Sequence, residues 1–518
     1  MKLRAPVCAA VCAAVLAPLV ACSNQSAGGG GGDDAVVDGG TFTMALPTDP
    51  GNLDPQSSAA SALFTVTQLA YDPLLSVDPA NGDIRSGLAT KWAVNGKTVT
   101  LTLADGIKCS DGTTLTASSV VTNLKYVGDP KNKSPFLGTF LPVGATGTAD
   151  DATRTVTITL ATPAPFVLNG LASLPIVCPS GLTNRKSLAN KTSGTGPYEL
   201  TEAAPGDHYT YQRRDGYTWG PNGATTATQG MPKTVVMKII QNETTAANLL
   251  LSGGLNAAAI IGPDANRLEK AGLFAAKTTA LIGEQWYNHA KGRATSDAAV
   301  RMALTQALDL PELRKVLTSG KGTPPTTLAT IEPVACTGDA ISPSLPARDV
   351  EAAKTAVQKA NLPPLTFLYD NSRGSGVAAA AELAVQQWQA VGVKVTAKGM
   401  NGTAMNETLF SSGDWDIAWV PLNVNSPDQV VPFLSGPAVP NGTNFAAIQN
   451  KDYEAKAKLA GSLSGKASCP TWLQAESAVV AAADLVPFAN SAVQTFGAKA
   501  RFATPGQLVP TSIRMLAN

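Results

Sequence analysis

Two hydrophobic periods interleave along this chain, and that interleaving limits the fold more than any other feature of the sequence. Thr98 to Leu103 alternates Thr with Val99, Leu101 and Leu103, a period of two that gives a strand one apolar face, and Asp105-Gly106 supplies a turn. Residues 154–160 repeat the pattern with Val156, Ile158 and Leu160, so the two runs are expected to pair in one sheet. Elsewhere the period is helical. Val300, Ala303, Leu304, Ala307 and Leu308 fall at i, i+3, i+4, i+7 and i+8, which puts one apolar stripe on a helix. Asp309 and Glu312 fit a capping box for the next helix, with Pro311 tolerated in its first turn. Residues 376–390 are Ala-rich, with Ala381, Val385 and Trp388 on one face; Gly392 stops that helix and residues 393–397 read as a strand. Helix followed by strand is an αβ unit, and the class that follows is α/β. At 518 residues the chain is too long for one core, so two or three domains are expected. Candidate linkers, dense in Gly, Pro, Ser or Thr, are residues 216–230, 320–325 and 337–346.

The first residues set the compartment. Lys2 and Arg4 precede an apolar stretch that ends in small residues and a cysteine at Leu19-Val20-Ala21-Cys22. This resembles a bacterial lipoprotein signal, which implies removal of residues 1–21, lipidation of the Cys22 thiol and an anchor on the extracytoplasmic face of the cell membrane. An ordinary secretory peptide cut at Ala21 is the alternative. Residues 22–35, with Gly28 through Gly32, cannot bury a core and read as a flexible tether. Cys8 and Cys12 leave with the signal and Cys22 is used, so Cys109, Cys178, Cys336 and Cys469 remain. An exported compartment favours pairing, for which three connectivities exist; free buried thiols are the competing reading.

Composition removes several function classes. Lys+Arg 39 against Asp+Glu 38 gives a net charge of +1, whereas a nucleic-acid binder is usually more basic. After the leader there is no apolar run of the length a membrane span needs, so a polytopic membrane protein is excluded. His208 and His289 are the only histidines and no CxxC occurs, which argues against a metal centre; no cofactor is implied. The local signatures of exported hydrolases, G-x-S-x-G, S-x-x-K and H-E-x-x-H, are missing, so an enzyme is disfavoured. Asp414 and Asp416 could be imagined as acid and base, but alternate positions on a short strand-like run are expected to share a solvated face. Ser193-Gly194-Thr195-Gly196-Pro197 could suggest a phosphate cradle; no Lys follows and Pro197 removes an N–H, so a tight structural turn is expected.

Several short motifs run in a telling order. Leu53-Asp54-Pro55 is followed by Tyr71-Asp72-Pro73-Leu74-Leu75, Gly87-Leu88-Ala89-Thr90-Lys91-Trp92, the Thr98–Leu103 strand and Asp105-Gly106-Ile107-Lys108-Cys109-Ser110-Asp111-Gly112. Thr116 then stands as an N-cap at the start of a helix. Gly194-Thr195-Gly196-Pro197-Tyr198, Val300-Arg301-Met302-Ala303-Leu304, Gly392-Val393-Lys394-Val395 and Trp415-Asp416-Ile417 follow. Over roughly residues 40 to 510 the order resembles the extracellular solute-binding proteins of family 5, the peptide and nickel receptors of bacterial ABC importers.

That resemblance implies a two-lobed, periplasmic-binding-protein-like clamp with an extra subdomain in the first lobe. Lobe I would take residues 36–60, 194–290 and 475–518, its accessory subdomain residues 61–193, and the distal ligand-binding lobe residues 291–474. Crossings between lobes are expected at residues 288–291 and 486–491. Cys109–Cys178 and Cys336–Cys469 are then the favoured disulfides, because each joins segments of one lobe. The implied partners are a small solute, oligopeptide or peptide-like, and permease subunits with cytoplasmic ATPases; the receptor itself is expected to be a monomer. The implied ligand-binding residues are Ser57 and Ser58, then Trp286, Tyr287 and Asn288, then Trp415, Trp419, Asn423 and Asp428. Core packing competes for both tryptophans of the distal segment, strand packing for Trp286 to Asn288, and a plain polar loop for the serines. One departure matters. Peptide-binding relatives carry an aspartate a few residues after the distal tryptophan that pairs with the peptide α-ammonium. Asn423 stands nearest that place, and an amide lacks the charge. Peptides with a free N-terminus are therefore not expected unless Asp428 or another carboxylate substitutes, and blocked or cyclic peptides, glycosides, another polar solute or a metal chelate stay open.

Overall fold

The computed structural model describes residues 35–463 and 465–517, so Cys22 and the leader lie outside the described residues. Ten strands form one mixed sheet. From edge to edge the order is Val395–Met400, Leu365–Asp370, Ile417–Trp419, Phe274–Tyr287, Leu485–Gly497, Ala257–Ile260, Thr41–Leu46, Thr234–Ile239, His208–Arg213 and Tyr198–Ala204. The two central strands have 14 and 13 residues, about 45 Å at the usual rise, and pair antiparallel from Phe274↔Gly497 to Trp286↔Leu485. One end carries the sheet of lobe I through Ala257↔Gly497, and the other carries the distal lobe through Gln285↔Trp419. Between them the register slips at Leu281/Gly283 and again at Gly283/Glu284. That break lies upstream of the first expected crossing, while its partner residues overlap the second. A Cβ at Gly283 would lie 2.5 Å from Phe488 Cε2, so only a glycine fits against that ring.

Each half has its own core. Phe42, Leu46, Tyr198, Tyr211, Val235 and Met237 pack lobe I. In the distal lobe the sheet is covered on both faces, and neighbours separate accordingly: Tyr287, Phe367, Ile417 and Trp419 join Leu304 and Trp388 on one side, while Trp286, Leu368 and Ala418 join Trp415, Phe433 and Phe445 on the other. The helix Ala298–Gln306 buries Val300, Ala303 and Leu304, as its stripe requires. Asp309 Oδ1 accepts from Glu312 N at 2.9 Å, but the return half of the box is supplied across helices: Asp309 N donates to Gln387 Oε1 at 2.7 Å and Gln387 Nε2 donates to Glu312 Oε2 at 3.3 Å. Gly392, with φ +94, ends the helix Ser375–Ala390.

The accessory subdomain is a four-stranded antiparallel sheet, Ala89–Asn95, Thr98–Leu103, Thr155–Thr159 and Thr146–Asp150, under the helix Ala117–Gly128. Val99 faces Ile158 and Leu101 faces Val156, so the two alternating runs do pair. Thr116 caps the helix by accepting from Ser119 N at 3.2 Å. Cys109 and Cys178 are bonded inside this core, and Cys336 and Cys469 are bonded in the distal lobe. Residues 216–230 do more than link: Tyr217 and Trp219 are buried in the accessory core, where Tyr217 OH donates to Asp72 Oδ1 at 2.8 Å. The Gly194–Gly196 turn is built for close approach, since a Cβ on Gly194 would lie 2.2 Å from Ala70 O. Thr195 Oγ1 between them donates to Asp72 Oδ2 at 2.9 Å. The expectation for Asp414 and Asp416 needs correction. Asp414 is exposed, but Asp416 is buried and accepts from Thr366 N at 2.8 Å, with Arg293 bonded to Asp414 at 3.1 Å and 3.6 Å from Asp416. Strand pairing with Leu365–Asp370 turns that second carboxylate inward.

Candidate functional site

A cavity of about 1200 Å³ opens between the two halves of the molecule. Lobe I supplies Ser57, Ser58 and Ala59, the accessory subdomain supplies parts of residues 130–143 and 162–170, and the distal lobe supplies Asn406, Asp428, residues from the 431–443 loop and Trp472 among others. Its body is apolar, with Phe140 and Phe166 on one side and Phe410 and Phe433 on the other. Ser57 Oγ donates to Asp54 O at 2.9 Å and Ser58 Oγ accepts from Ala60 N at 3.1 Å, so both hydroxyls sit on a loop that is already internally bonded.

Of the nine residues expected at the ligand, Ser57, Ser58 and Asp428 line this cavity. The other six do not. Trp415 and Trp419 are buried; Trp419 Nε1 donates to Gln285 Oε1 at 3.1 Å and its ring meets Phe367 and Phe488. Trp286 Nε1 donates to Val420 O at 2.8 Å, Tyr287 OH bonds Thr305 Oγ1 at 2.8 Å, and Asn288 Nδ2 donates to Trp415 O at 2.9 Å. These side chains weld the central strand to the distal sheet. Asn423 acts as a splice: its Oδ1 accepts from Leu281 N at 2.9 Å and its Nδ2 donates to Leu281 O at 3.0 Å, at the register break. Phe140, Phe166, Phe410, Phe433 and Trp472 were not legible as site residues. The nearest signal was the continuation of the distal segment past Asp428 to Pro432-Phe433 and the prolines that follow.

Electrostatics divide the site. Asp428 is half-buried, and burial pushes its carboxyl up to about 6 although Ser426 Oγ donates to it at 2.5 Å. Among the described residues no ion pair to a cation is formed by Asp428, whereas Glu454, also at the cavity, is held by Lys451 at 2.9 Å. At the register break Glu284 is 2% exposed, and burial pushes it up to about 8; Leu422 N donates to its Oε2 at 2.8 Å and Val420 N to its carbonyl at 3.0 Å. Glu284 and Asn423 therefore fasten residues 420–423 to the central strand.

A cavity walled by two halves of one fold, joined through two strands that break register between them, defines a two-lobed binding clamp. The chain belongs to the bacterial extracellular solute-binding proteins of family 5, whose middle region matches residues 83–439. It is 27% identical over 360 residues to a glutathione-binding protein of Escherichia coli O6:K15:H31, covering 67% of each chain. Matches to other proteins of that name span little more than half of their length. The fold is similar to that of a substrate-binding protein from Microbacterium hydrocarbonoxydans complexed with 4-hydroxybenzoate hydrazide, with a TM-score of 0.82 and 26% identity over 92% of this chain and 99% of that one. A periplasmic binding protein from Helicobacter pylori in complex with peptide STSA shares the fold at a TM-score of 0.79 and 20% identity, covering 93% of this chain and 99% of the other. Among the described residues no helix is long and apolar enough to cross a membrane.

Proposed function

We propose that the protein is a lipid-anchored, monomeric receptor of an ABC importer that captures a peptide-like solute between its lobes and hands the closed form to the permease. The observation that carries this reading is the cavity itself, about 1200 Å³ and bounded by both halves of a hinged sheet. Solute that touches both walls stabilises the closed arrangement by its difference in affinity for the two forms, so capture needs no covalent step. Peptide and glutathione ligands of the similar proteins support a peptide-like solute. A non-peptide solute finds support in Asn423, whose amide is spent on Leu281 and offers no charge to an α-ammonium. Mass spectrometry of the small molecules released on denaturing the purified chain tests both: a ladder of peptide masses supports peptide import, and a single non-peptide mass redirects the receptor to that solute. Turnover of any offered substrate would instead make the protein an exported hydrolase. Added back at 100 times its Kd, the true solute stabilises the fold by about 2.7 kcal/mol, visible as a thermal shift.

A further inference from the structure

Lobe I gives the cavity only residues 57–59, while its remaining walls come from the accessory subdomain and the distal lobe. We infer that the solute site extends away from the hinge into a chamber between those two bodies, and that this chamber takes a largely apolar, uncharged portion of the solute. The inference rests on the receptor reading and names the solute class, an amphipathic molecule.

Both walls are built for an apolar occupant. Phe140 and Phe166 face the cavity from one side and Phe410, Phe433 and Trp472 from the other, with prolines such as Pro163 and Pro432 on both. Prolines bring no backbone N–H to a solute, so these walls offer shape more than hydrogen bonds. Charged lining side chains are few: Lys133 and Lys458 are exposed, Glu454 is engaged by Lys451, and half-buried Asp428 is the one carboxylate of the wall that forms no ion pair among the described residues. The accessory subdomain already grips the distal lobe. Phe166, 7% exposed, packs in the distal hydrophobic cluster with residues such as Phe433, and a Cβ at Gly138 would lie 2.8 Å from Pro432 Cγ. Two apolar side chains on opposite walls remain open, Val143 at 68% and Leu459 at 55% exposure, both lining the chamber. A solute that fills the cavity takes both side chains out of water.

The neutral fluorophore N-phenyl-1-naphthylamine, which brightens in apolar sites, tests this on the full chain. Saturable binding of one probe per chain is expected, with displacement by the solute released on denaturation. Val143→Arg and Leu459→Arg, both at exposed positions that leave the fold intact, should each weaken probe binding by about tenfold, as loss of one good apolar contact does. Val94→Arg is the control, since Val94 is 42% exposed in the accessory subdomain yet absent from the cavity wall. Absence of saturable binding, or Val143→Arg and Leu459→Arg variants that bind like Val94→Arg, would overturn the chamber. A chain that retains a solute through purification but ignores the probe would overturn the chamber alone; a chain that retains none and ignores the probe would count against the receptor reading as well.

Discussion

At Arg301 one buried cation ties together chain segments that are far apart in sequence. Its Nη2 donates to Asp484 Oδ1 at 2.8 Å, its Nε to Ala483 O at 3.2 Å and its Nη1 to Thr295 O at 3.2 Å, while Asn450 Nδ2 donates to the other Asp484 oxygen at 2.7 Å. His289 lies 3.8 Å from Asp484, but burial and the neighbouring guanidinium push its imidazole down to about 3, so it stays neutral. Arg301→Ala leaves Asp484 buried without its counter-charge and should cost about 3–5 kcal/mol, read as a lower urea midpoint. Glu284 behaves in the opposite sense. Its folded-state value near 8 exceeds that of an unfolded glutamate, so the fold binds a proton that the unfolded chain releases, and stability falls as pH rises from about 4.5 to 8. Glu284→Gln removes that linkage while an amide oxygen can still accept from Leu422 N. Urea melts at pH 5 and pH 8 should show the wild type losing more stability than the variant across that interval, by about 2–4 kcal/mol. Equal losses would mean that Glu284 does not take up the proton.

At the scale of elements the two disulfides each lock one body, Cys109–Cys178 closing a separation of 69 residues and Cys336–Cys469 one of 133. By the entropy of loop closure each is worth about 4–5 kcal/mol, so replacing Cys336 and Cys469 by Ala should lower the urea midpoint, and dithiothreitol should lower the wild type toward it. Elements with local chemistry at their ends were legible in the sequence. Thr116 and Asp309 announce helix starts by offering an oxygen to the third N–H, and Gly392 announces a stop because φ +94 suits glycine. The central strands were not legible. Phe274–Tyr287 serves lobe I at one end and the distal lobe at the other, so its exposed and buried faces change along its length and no single period survives. The aromatic residues were ambiguous for a related reason: an indole such as Trp419 satisfies a sheet core as well as a cleft, and it is the pairing Gln285↔Trp419 that sets its ring in the distal core.

In the whole molecule the two lobes meet at the register break. Gly283 allows Phe488 to close over the strand, Asn423 grips Leu281, and Glu284 grips Leu422, so hinge and cleft segment are fastened to each other within a few residues. Gly283→Val forces the Phe488 ring away and should weaken solute affinity by about tenfold, a shift in the balance between open and closed forms rather than in any solute contact. Isothermal titration against the wild type measures it, with the urea midpoint as the check on folding. Solute is expected to close the two halves around the cavity. Small-angle X-ray scattering of the purified chain, stripped of its solute and then titrated with it, reads that closure. The expected result is a fall in the radius of gyration that saturates at one solute per chain. An unchanged radius at saturating solute would contradict it.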